Sequence, residues 1–258
     1  MLMEYLFEAG LKYGYLIHPD ELPQNLQQDL SAVARVTTLE GEKPASGSGF
    51  LVNGRNYQYF LSALHCFGKR GSLETNRIVF PSGIELLSSN TEEVALPEEF
   101  LERDIVALRL KSAVDIKGLD LSSSQSDLQS LDDERNTKYI FVAAIGYPVA
   151  YLKALESPIN GPITSLGSVL EVAPEFIRTS ARAEGGFSGG PLLISEGEEN
   201  RVVGIVSNKK LYNEDSIHPE RNLIFNKLLA LRFAWRKEPN GLYESYMEST
   251  LGLDRILE

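Results

Sequence analysis

The sequence predicts an all-β protein made of two antiparallel halves, each a barrel or a sandwich. Two sets of short runs rich in β-branched and aromatic residues predict these halves, because clusters of Gly, Ser, Asn and Pro separate the runs. The first set is AVARVTT, GSGFLVNG, YQYFLSAL, RIVFPSGIEL and DIVALRL. The second set is KYIFVAAIGYP, PITSLGSVLEV, EFIRTSA, GGPLLIS and RVVGIVS.

Three segments lie outside the two β-rich sets. The N-terminal segment mixes apolar and polar residues and includes ELPQNLQQDL, which predicts a short helix. The polar, Ser- and Asp-rich segment 111–136 predicts a connection between the halves. The run LIFNKLLALRFAWRK has helical spacing and a basic end, which predicts a C-terminal helix. The expected units are an N-terminal extension (1–30), a first barrel (31–118), a linker with the second barrel (119–221), and a C-terminal helix with an acidic tail (222–258).

Composition narrows the classes of function. The net charge of −11 over 258 residues repels phosphate backbones and anionic lipid surfaces, so neither nucleic acid nor a membrane is an expected partner. No apolar run reaches about 18 residues, and the N-terminus lacks the pattern of a signal peptide. The single cysteine, Cys66, cannot form an internal disulfide, which agrees with a reducing compartment. We therefore expect a soluble, cytoplasmic protein.

The stretch GGFSGGP, at residues 185–191, predicts a nucleophile. Such a density of glycine marks unusual backbone angles or a close approach to the backbone. A serine hydroxyl is a poor nucleophile unless a base takes its proton and hydrogen-bond donors stabilise the oxyanion that forms. Ser188 is the candidate nucleophile, and the N–H groups of Gly186 and Ser188 are the candidate oxyanion donors.

The positions of His65 and Asp104 at the ends of apolar runs make them the candidate base and the carboxylate that orients it. Of three histidines, His65 ends the apolar run FLSAL, whereas His18 and His218 each precede proline in a polar turn. Asp104 opens the apolar run IVALRL, where a buried carboxylate needs a partner such as an imidazolium. No spacing typical of metal ligands joins the histidines, and the chemistry requires no cofactor.

These motifs resemble those of trypsin-like serine proteases of the chymotrypsin fold, most closely the HtrA-type and other bacterial peptidases that lack disulfides. Each candidate catalytic residue lies in a matching motif, and the order His, Asp, Ser is also that of the family. The motifs are ALHC (63–66), DIVAL (104–108) and GFSGGP (186–191), with further matches in GSGF (47–50), AIGYP (144–148) and GIVS (204–207). The matches cover about residues 31–208.

The resemblance implies two six-stranded antiparallel barrels and a catalytic triad of His65, Asp104 and Ser188. It also implies that Ser207 hydrogen-bonds near the triad aspartate and that the strand after it pairs with substrate. Arg182 falls where the family has the base of its specificity pocket, and with Lys209 it would favour an acidic side chain in the substrate. The substrate-binding candidates are Arg182, Ala183, Ser207, Asn208 and Lys209. The alternative for Arg182 is an outward-facing side chain that pairs with Glu184 or is solvated.

Phe187 departs from the family pattern. In trypsin-like zymogens an aspartate at this position pairs with a newly cut N-terminus and so forms the oxyanion hole, and phenylalanine cannot make that ion pair. The loop must then be shaped by packing, or by a substrate or a regulatory protein partner. The main hypothesis is a serine endopeptidase that cuts a protein or peptide substrate. The alternatives are a protease-fold module that binds peptides without cutting them, and a latent protease that a partner activates.

Overall fold

A computed structural model of the chain describes residues 15–17, 19, 22, 24–38, 45–67, 76–121, 140–148, 161–173, 176–181, 183, 185–196, 199–207, 245–249 and 257. The predicted C-terminal helix lies outside the described residues. In the N-terminal extension, strand β1 spans Tyr15–Ile17 and helix α1 spans Gln24–Asp29, followed by a 3-10 turn over Leu30–Ala32. The short helix expected from ELPQNLQQDL is therefore present.

The first sheet contains seven strands, which are β2 (Val33–Thr38), β3 (Ala45–Asn53), β4 (Gln58–Ala63), β5 (Asn76–Val79), β6 (Glu85–Leu86), β7 (Thr91–Glu93) and β8 (Ile105–Leu110). Their order in the sheet is β6-β5-β2-β3-β4-β8-β7, and every neighbouring pair is antiparallel. The two-residue β6 and the three-residue β7 are the edge strands, so this sheet is a half-barrel. Helix α2, Glu98–Glu102, leads into β8.

The second sheet contains a ring of six strands. They are β10 (Phe141–Gly146), β11 (Ile163–Val172), β12 (Phe176–Thr179), β13 (Pro191–Glu196), β14 (Glu199–Val206) and β15 (Ser245–Ser249). Antiparallel pairing runs through β11, β10, β13, β14, β15 and β12 and then returns from β12 to β11. The predicted all-β fold of two antiparallel barrels is confirmed. The first sheet has seven strands rather than the six that the resemblance implied, and its edge strand β7 lies outside the β-rich runs of the sequence.

Strand β15 corrects one predicted boundary. The second barrel was expected to end at residue 221, but residues 245–249 lie between β12 and β14, where Met247 is opposite both Ile177 and Val206. The segment SYMES is short and mostly polar, so it resembles a tail rather than an interior strand. The second sheet therefore includes residues well beyond that boundary.

Three further pairings involve the N-terminal extension and the predicted linker. Strand β1 pairs with β11 through Tyr15–Ile17 and covers the part of the β11 edge that β12 leaves open. In the predicted linker, Leu119 forms a parallel bridge with Val52 of the first sheet, and β9, Asp120–Leu121, pairs in parallel with β14 of the second. The linker therefore holds the sheets side by side before the chain enters the second barrel.

Candidate active site

His65 and Asp104 are brought together by the pairing of β4 with β8. In this antiparallel pair Ala63 is opposite Ile105, so the end of one strand meets the start of the other. A 3-10 turn over Leu64–Phe67 follows β4 and carries His65. The N–H of Leu64 donates to the Asp104 carbonyl at 2.7 Å, which extends the pairing one step beyond the strands. The two candidate residues consequently lie side by side.

The Asp104 carboxylate is fully buried and accepts hydrogen bonds from both His65 and Ser207. Its Oδ1 accepts from the backbone N–H of His65 at 3.0 Å, and its Oδ2 lies 2.5 Å from His65 Nδ1. Ser207 Oγ donates to the same Oδ2 at 2.7 Å. These bonds compensate the cost of removing a carboxylate from water.

The backbone of Asp104 has a left-handed φ of 65°, which no other non-glycine residue has in the part of the chain that the structure describes. Aspartate tolerates this region better than most residues do, and such outliers persist where the surroundings hold them. The Asp104 N–H donates to the Leu101 carbonyl at 3.0 Å, which ends α2 and turns the carboxylate toward His65. The left-handed angle and the bond to Leu101 thus mark the point where α2 ends and β8 begins.

The His65 ring is partly exposed, at 34% of its side-chain surface. Burial is the largest single effect and lowers its pKa, whereas the interactions with Asp104 and Cys66 raise it and together outweigh burial. The pKa of His65 therefore lies above the ordinary value of 6.5. The site thus stabilises the imidazolium, which is the form that a general base adopts after it takes a proton.

Ser188 lies in the turn between Gly185 and Gly190, and it is 6% exposed. Its carbonyl accepts from the Ser48 N–H at 2.7 Å and from Cys66 Sγ at 3.3 Å. The same sulfur lies 3.8 Å from His65 Nε2. The Cys66 thiol therefore lies between the histidine and the serine loop, so the three candidate catalytic residues occupy one region where the two sheets meet.

The glycine after the serine is required by its surroundings. Gly189 has a φ of 84°, and a Cβ atom there would lie 2.1 Å from the Ser48 carbonyl oxygen. Its N–H donates to the Val206 carbonyl at 2.6 Å. The turn can therefore press against β3 and β14 only with glycine at this position.

Phe187 is packed rather than paired with a charge. Its side chain is fully buried in the apolar core of the second sheet, among Val142, Ile163 and Leu192. Gly146 makes room for it, because a Cβ on that glycine would lie 2.7 Å from Phe187 Cα and 3.0 Å from Cδ1. The residue before Ser188, the candidate nucleophile, therefore anchors the loop by hydrophobic burial.

A match to known families decides the classification. The family model for the trypsin-like peptidase domain matches residues 47–205, which include His65, Asp104 and Ser188. The chain belongs to the trypsin-like peptidase family. A curated relative, the probable periplasmic serine endoprotease DegP-like of Buchnera aphidicola subsp. Baizongia pistaciae (strain Bp), is 24% identical over 177 residues. That match covers 69% of this chain and 33% of the relative, so the chain spans about a third of the relative's length.

Solved structures that are similar to this chain include an HtrA-type protease and a serine endoprotease. The HtrA-type protease AlgW with tripeptide is 18% identical with a TM-score of 0.49, over 71% of this chain and 52% of that one. The serine endoprotease from Yersinia pestis is 19% identical with a TM-score of 0.49, over 72% of this chain and 58% of that one.

The predicted substrate-binding residues of this peptidase domain are described only in part. Arg182, Asn208 and Lys209 lie outside the described residues. Ala183 is half-buried and packs against the core of the second sheet. Ser207 is 5% exposed, and its hydroxyl bonds to Asp104. The structure thus brings Ser207 to Asp104, the predicted aspartate of the triad.

Two residues at the peptidase site were not recognised as functional from the sequence. Ser48 contacts the loop of the nucleophile through both its hydroxyl and its backbone, and Cys66 lies between His65 and Ser188. The signal available for Ser48 was only its place in the GSGF match, which gives no contact. Within the described residues there is no group of three or more side chains that could hold a metal ion, and no helix is long and apolar enough to span a membrane.

Proposed function

We propose that this protein is a serine endopeptidase that hydrolyses peptide bonds through His65, Asp104 and Ser188. The observation that carries the proposal is the pair of hydrogen bonds from His65 to the buried Asp104 carboxylate, next to the loop of Ser188. Membership of the trypsin-like peptidase family supports the same reaction. An ordinary structural histidine would need neither a fully buried carboxylate nor a glycine-rich serine loop beside it.

In the proposed reaction, His65 Nε2 takes the proton of the Ser188 hydroxyl while Oγ attacks the substrate carbonyl carbon. The carbonyl oxygen becomes an oxyanion, which the N–H groups of Gly186 and Ser188 stabilise. His65 then gives its proton to the leaving amine, the C–N bond breaks, and an acyl ester remains on Ser188. A water molecule repeats the sequence and releases the carboxylic acid.

Asp104 has two roles in this reaction. Its bond to Nδ1 at 2.5 Å keeps the proton on that nitrogen, so that Nε2 is free to accept the serine proton. The carboxylate also stabilises the imidazolium that forms, in agreement with the raised pKa of His65. The proton that His65 takes from Ser188 is not passed on to Asp104.

The substrate is proposed to be a protein or peptide whose backbone pairs with the chain after Ser207. A preference for aspartate or glutamate before the cut bond is proposed from the sequence positions of Arg182 and Lys209 alone. Profiling with a peptide library measures this preference directly. Equal cleavage after acidic and neutral residues would contradict it.

A cytoplasmic location and a regulatory protein partner remain proposals from the sequence. The single cysteine and the composition support the first, whereas the Buchnera relative is named as periplasmic. Fractionation of the source cells, with the protein found outside the cytoplasm, would overturn that proposal. Activity of the purified chain at its full rate would argue against a required partner.

Active-site labelling tests the proposed reaction. A fluorophosphonate probe should label the wild-type protein on Ser188, and Ser188→Ala should abolish labelling and lower kcat by about 10⁶-fold. The control is Ser46→Ala, which removes a different serine hydroxyl, from the strand that also contains Ser48. This variant should be labelled like the wild type. A folded wild type that is never labelled, and yet binds peptides equally well with Ser188→Ala, would point to the non-cutting peptide-binding module.

A further inference from the structure

The hydroxyl of Ser48 makes contacts that the triad mechanism does not use. Ser48 lies in β3 of the first sheet and is fully buried. Its Oγ lies 2.6 Å from the Gly186 carbonyl oxygen and 2.9 Å from the Tyr147 backbone nitrogen. An N–H can only donate, so the hydroxyl accepts from Tyr147 and gives its single hydrogen to Gly186. The direction of the hydroxyl is therefore fixed.

The backbone of Ser48 holds the same loop. Its N–H donates to the Ser188 carbonyl at 2.7 Å, and its carbonyl accepts from the Ser62 hydroxyl at 2.6 Å. One residue of the first sheet thus binds two carbonyls of the segment 186–188, which we call the oxyanion loop. That loop belongs to the second half of the molecule, so the contact crosses between the sheets.

We propose that Ser48 is a positioning residue that holds the oxyanion loop in its catalytic conformation before substrate binds. The inference rests on the proposed function, because it assigns Ser48 a part in forming the oxyanion hole of that reaction. It adds that the hole is formed without an ion pair at the position of Phe187.

The geometry of the peptide units explains how a carbonyl contact orients the donors. In a planar trans unit the C=O and N–H groups point in opposite directions. The Phe187 carbonyl accepts from the Gly190 N–H at 2.8 Å, so the N–H of Ser188 points the other way. The unit between Gly186 and Phe187 joins the two oxyanion donors, and the Ser48 hydroxyl holds its carbonyl. The Ser48 hydroxyl therefore fixes the orientation of the Gly186 N–H relative to the Ser188 N–H.

The backbone of Gly186 shows why such a hold is needed. Its φ of 105° lies in a region that glycine enters at no steric cost, and glycine also leaves that region easily. The only other described donor to the Gly186 carbonyl is the Tyr147 N–H, at the longer distance of 3.4 Å. The burial of the Phe187 ring anchors the residue after Gly186. Burial of that ring does not by itself fix the direction of the Gly186 carbonyl. The short bond from Ser48 supplies the missing constraint.

Steady-state kinetics of Ser48→Ala test the proposal. Complete loss of an oxyanion donor lowers kcat by about 10² to 10³, so misaligned donors should lower it by about 10- to 100-fold with KM nearly unchanged. Oxyanion donors act in the transition state, whereas a general loss of structure would also raise KM and lower the active fraction. Ser168→Ala is the matched control, since it removes another buried hydroxyl, 3.2 Å from Ser180 Oγ in the second sheet, and should keep the wild-type kcat.

A second variant covers the case in which Ser48→Ala does not fold. Ser48→Cys keeps a side chain of nearly the same shape with a much weaker donor, and it should also lower kcat without raising KM. Labelling with a fluorophosphonate separates the two hypotheses. A wild type that is never labelled overturns the proposed function and this inference with it. A labelled wild type whose folded Ser48→Ala or Ser48→Cys variant keeps the full kcat overturns the inference alone.

Discussion

His65 and Asp104 are joined twice, once through the imidazole ring and once through the histidine backbone. The ring nitrogen Nδ1 lies 2.5 Å from Oδ2, and the His65 N–H lies 3.0 Å from Oδ1. The backbone bond fixes the carboxylate plane, and the ring bond then fixes the rotation of the imidazole. The pair behaves as one rigid unit, which makes its response to substitution predictable.

Asp104→Asn should leave the fold intact and remove most of the activity. Asparagine tolerates the φ of 65° and can still accept from the His65 N–H. Its amide NH₂ group can only donate, so His65 Nδ1 must accept and the ring proton moves to Nε2. That tautomer cannot take the serine proton, and kcat should fall by about 10⁴-fold. Steady-state kinetics, with circular dichroism as the check of folding, measure this. A variant within about tenfold of the wild type would contradict the role of Asp104.

The same variant should also shift the pH dependence of kcat/KM. The free enzyme needs neutral His65, so the acid limb of the profile follows the pKa of that ring. Asp104 raises this pKa, and its replacement by a neutral amide should lower it. The acid limb of the residual activity should therefore move to lower pH.

Ser207→Ala should shift the acid limb in the opposite direction. The Ser207 hydroxyl donates to Asp104 Oδ2 at 2.7 Å and so disperses part of the negative charge. Without that donor the carboxylate interacts more strongly with the imidazolium, and the pKa of His65 should rise further. The acid limb of kcat/KM should move to higher pH. A limb that moves to lower pH in this variant would show that Ser207 does not act through Asp104.

Much of the fold and the centre of the site could be predicted from the sequence. All ten β-rich runs contain strands of the structure. Each run has enough buried β-branched and aromatic residues to show the pattern that is typical of a strand. The contact of His65 with Asp104 was predicted from two strand ends, which antiparallel pairing brings together. These features depend on local pattern or on simple topology.

The features that could not be predicted depend on long-range contacts. Strand β15 is held by pairing on both edges rather than by its own sequence, and β1 is only three residues long. Ser48 lies 138 positions from Gly186, so a serine in a strand gave no sign of its bond to that carbonyl. The reason for Phe187 also required the position of Gly146 in another strand.

Phe187→Ala should destabilise the protein strongly. The ring is fully buried in the core of the second sheet, and phenylalanine-to-alanine changes at such sites cost about 3–5 kcal/mol in the free energy of unfolding. Phe187→Leu retains most of the apolar volume and should cost much less. Urea denaturation measures both values. Phe187→Asp should be worse than Phe187→Ala, because it buries an unpaired charge; a more stable aspartate variant would show that a cation lies within reach of this position.

Gly47→Ala tests the close packing between the sheets beside Ser188, the proposed nucleophile. A Cβ at this position would lie 2.3 Å from Cys66 Sγ and 3.1 Å from the Ser188 carbonyl oxygen, so either the thiol or the oxyanion loop must move. Overpacking of this kind costs about 1–3 kcal/mol in the free energy of unfolding, and activity should fall with it because both neighbours adjoin the triad.

The double variant Gly47→Ala with Cys66→Ala shows whether the Cys66 thiol or the loop of Ser188 opposes the added methyl group. Removal of the sulfur eliminates the 2.3 Å contact but leaves the contacts with Cys66 Cβ at 3.0 Å and with the Ser188 carbonyl oxygen at 3.1 Å, so the double variant should be more stable than the sum of the single changes predicts. Its kcat should recover only in part, because the contact with the Ser188 carbonyl still presses on the group that the Ser48 N–H holds. Urea denaturation and steady-state kinetics of all four proteins measure the coupling. Strict additivity in both measurements would mean that the Cys66 thiol does not transmit the strain, and that the loop of Ser188 is displaced directly.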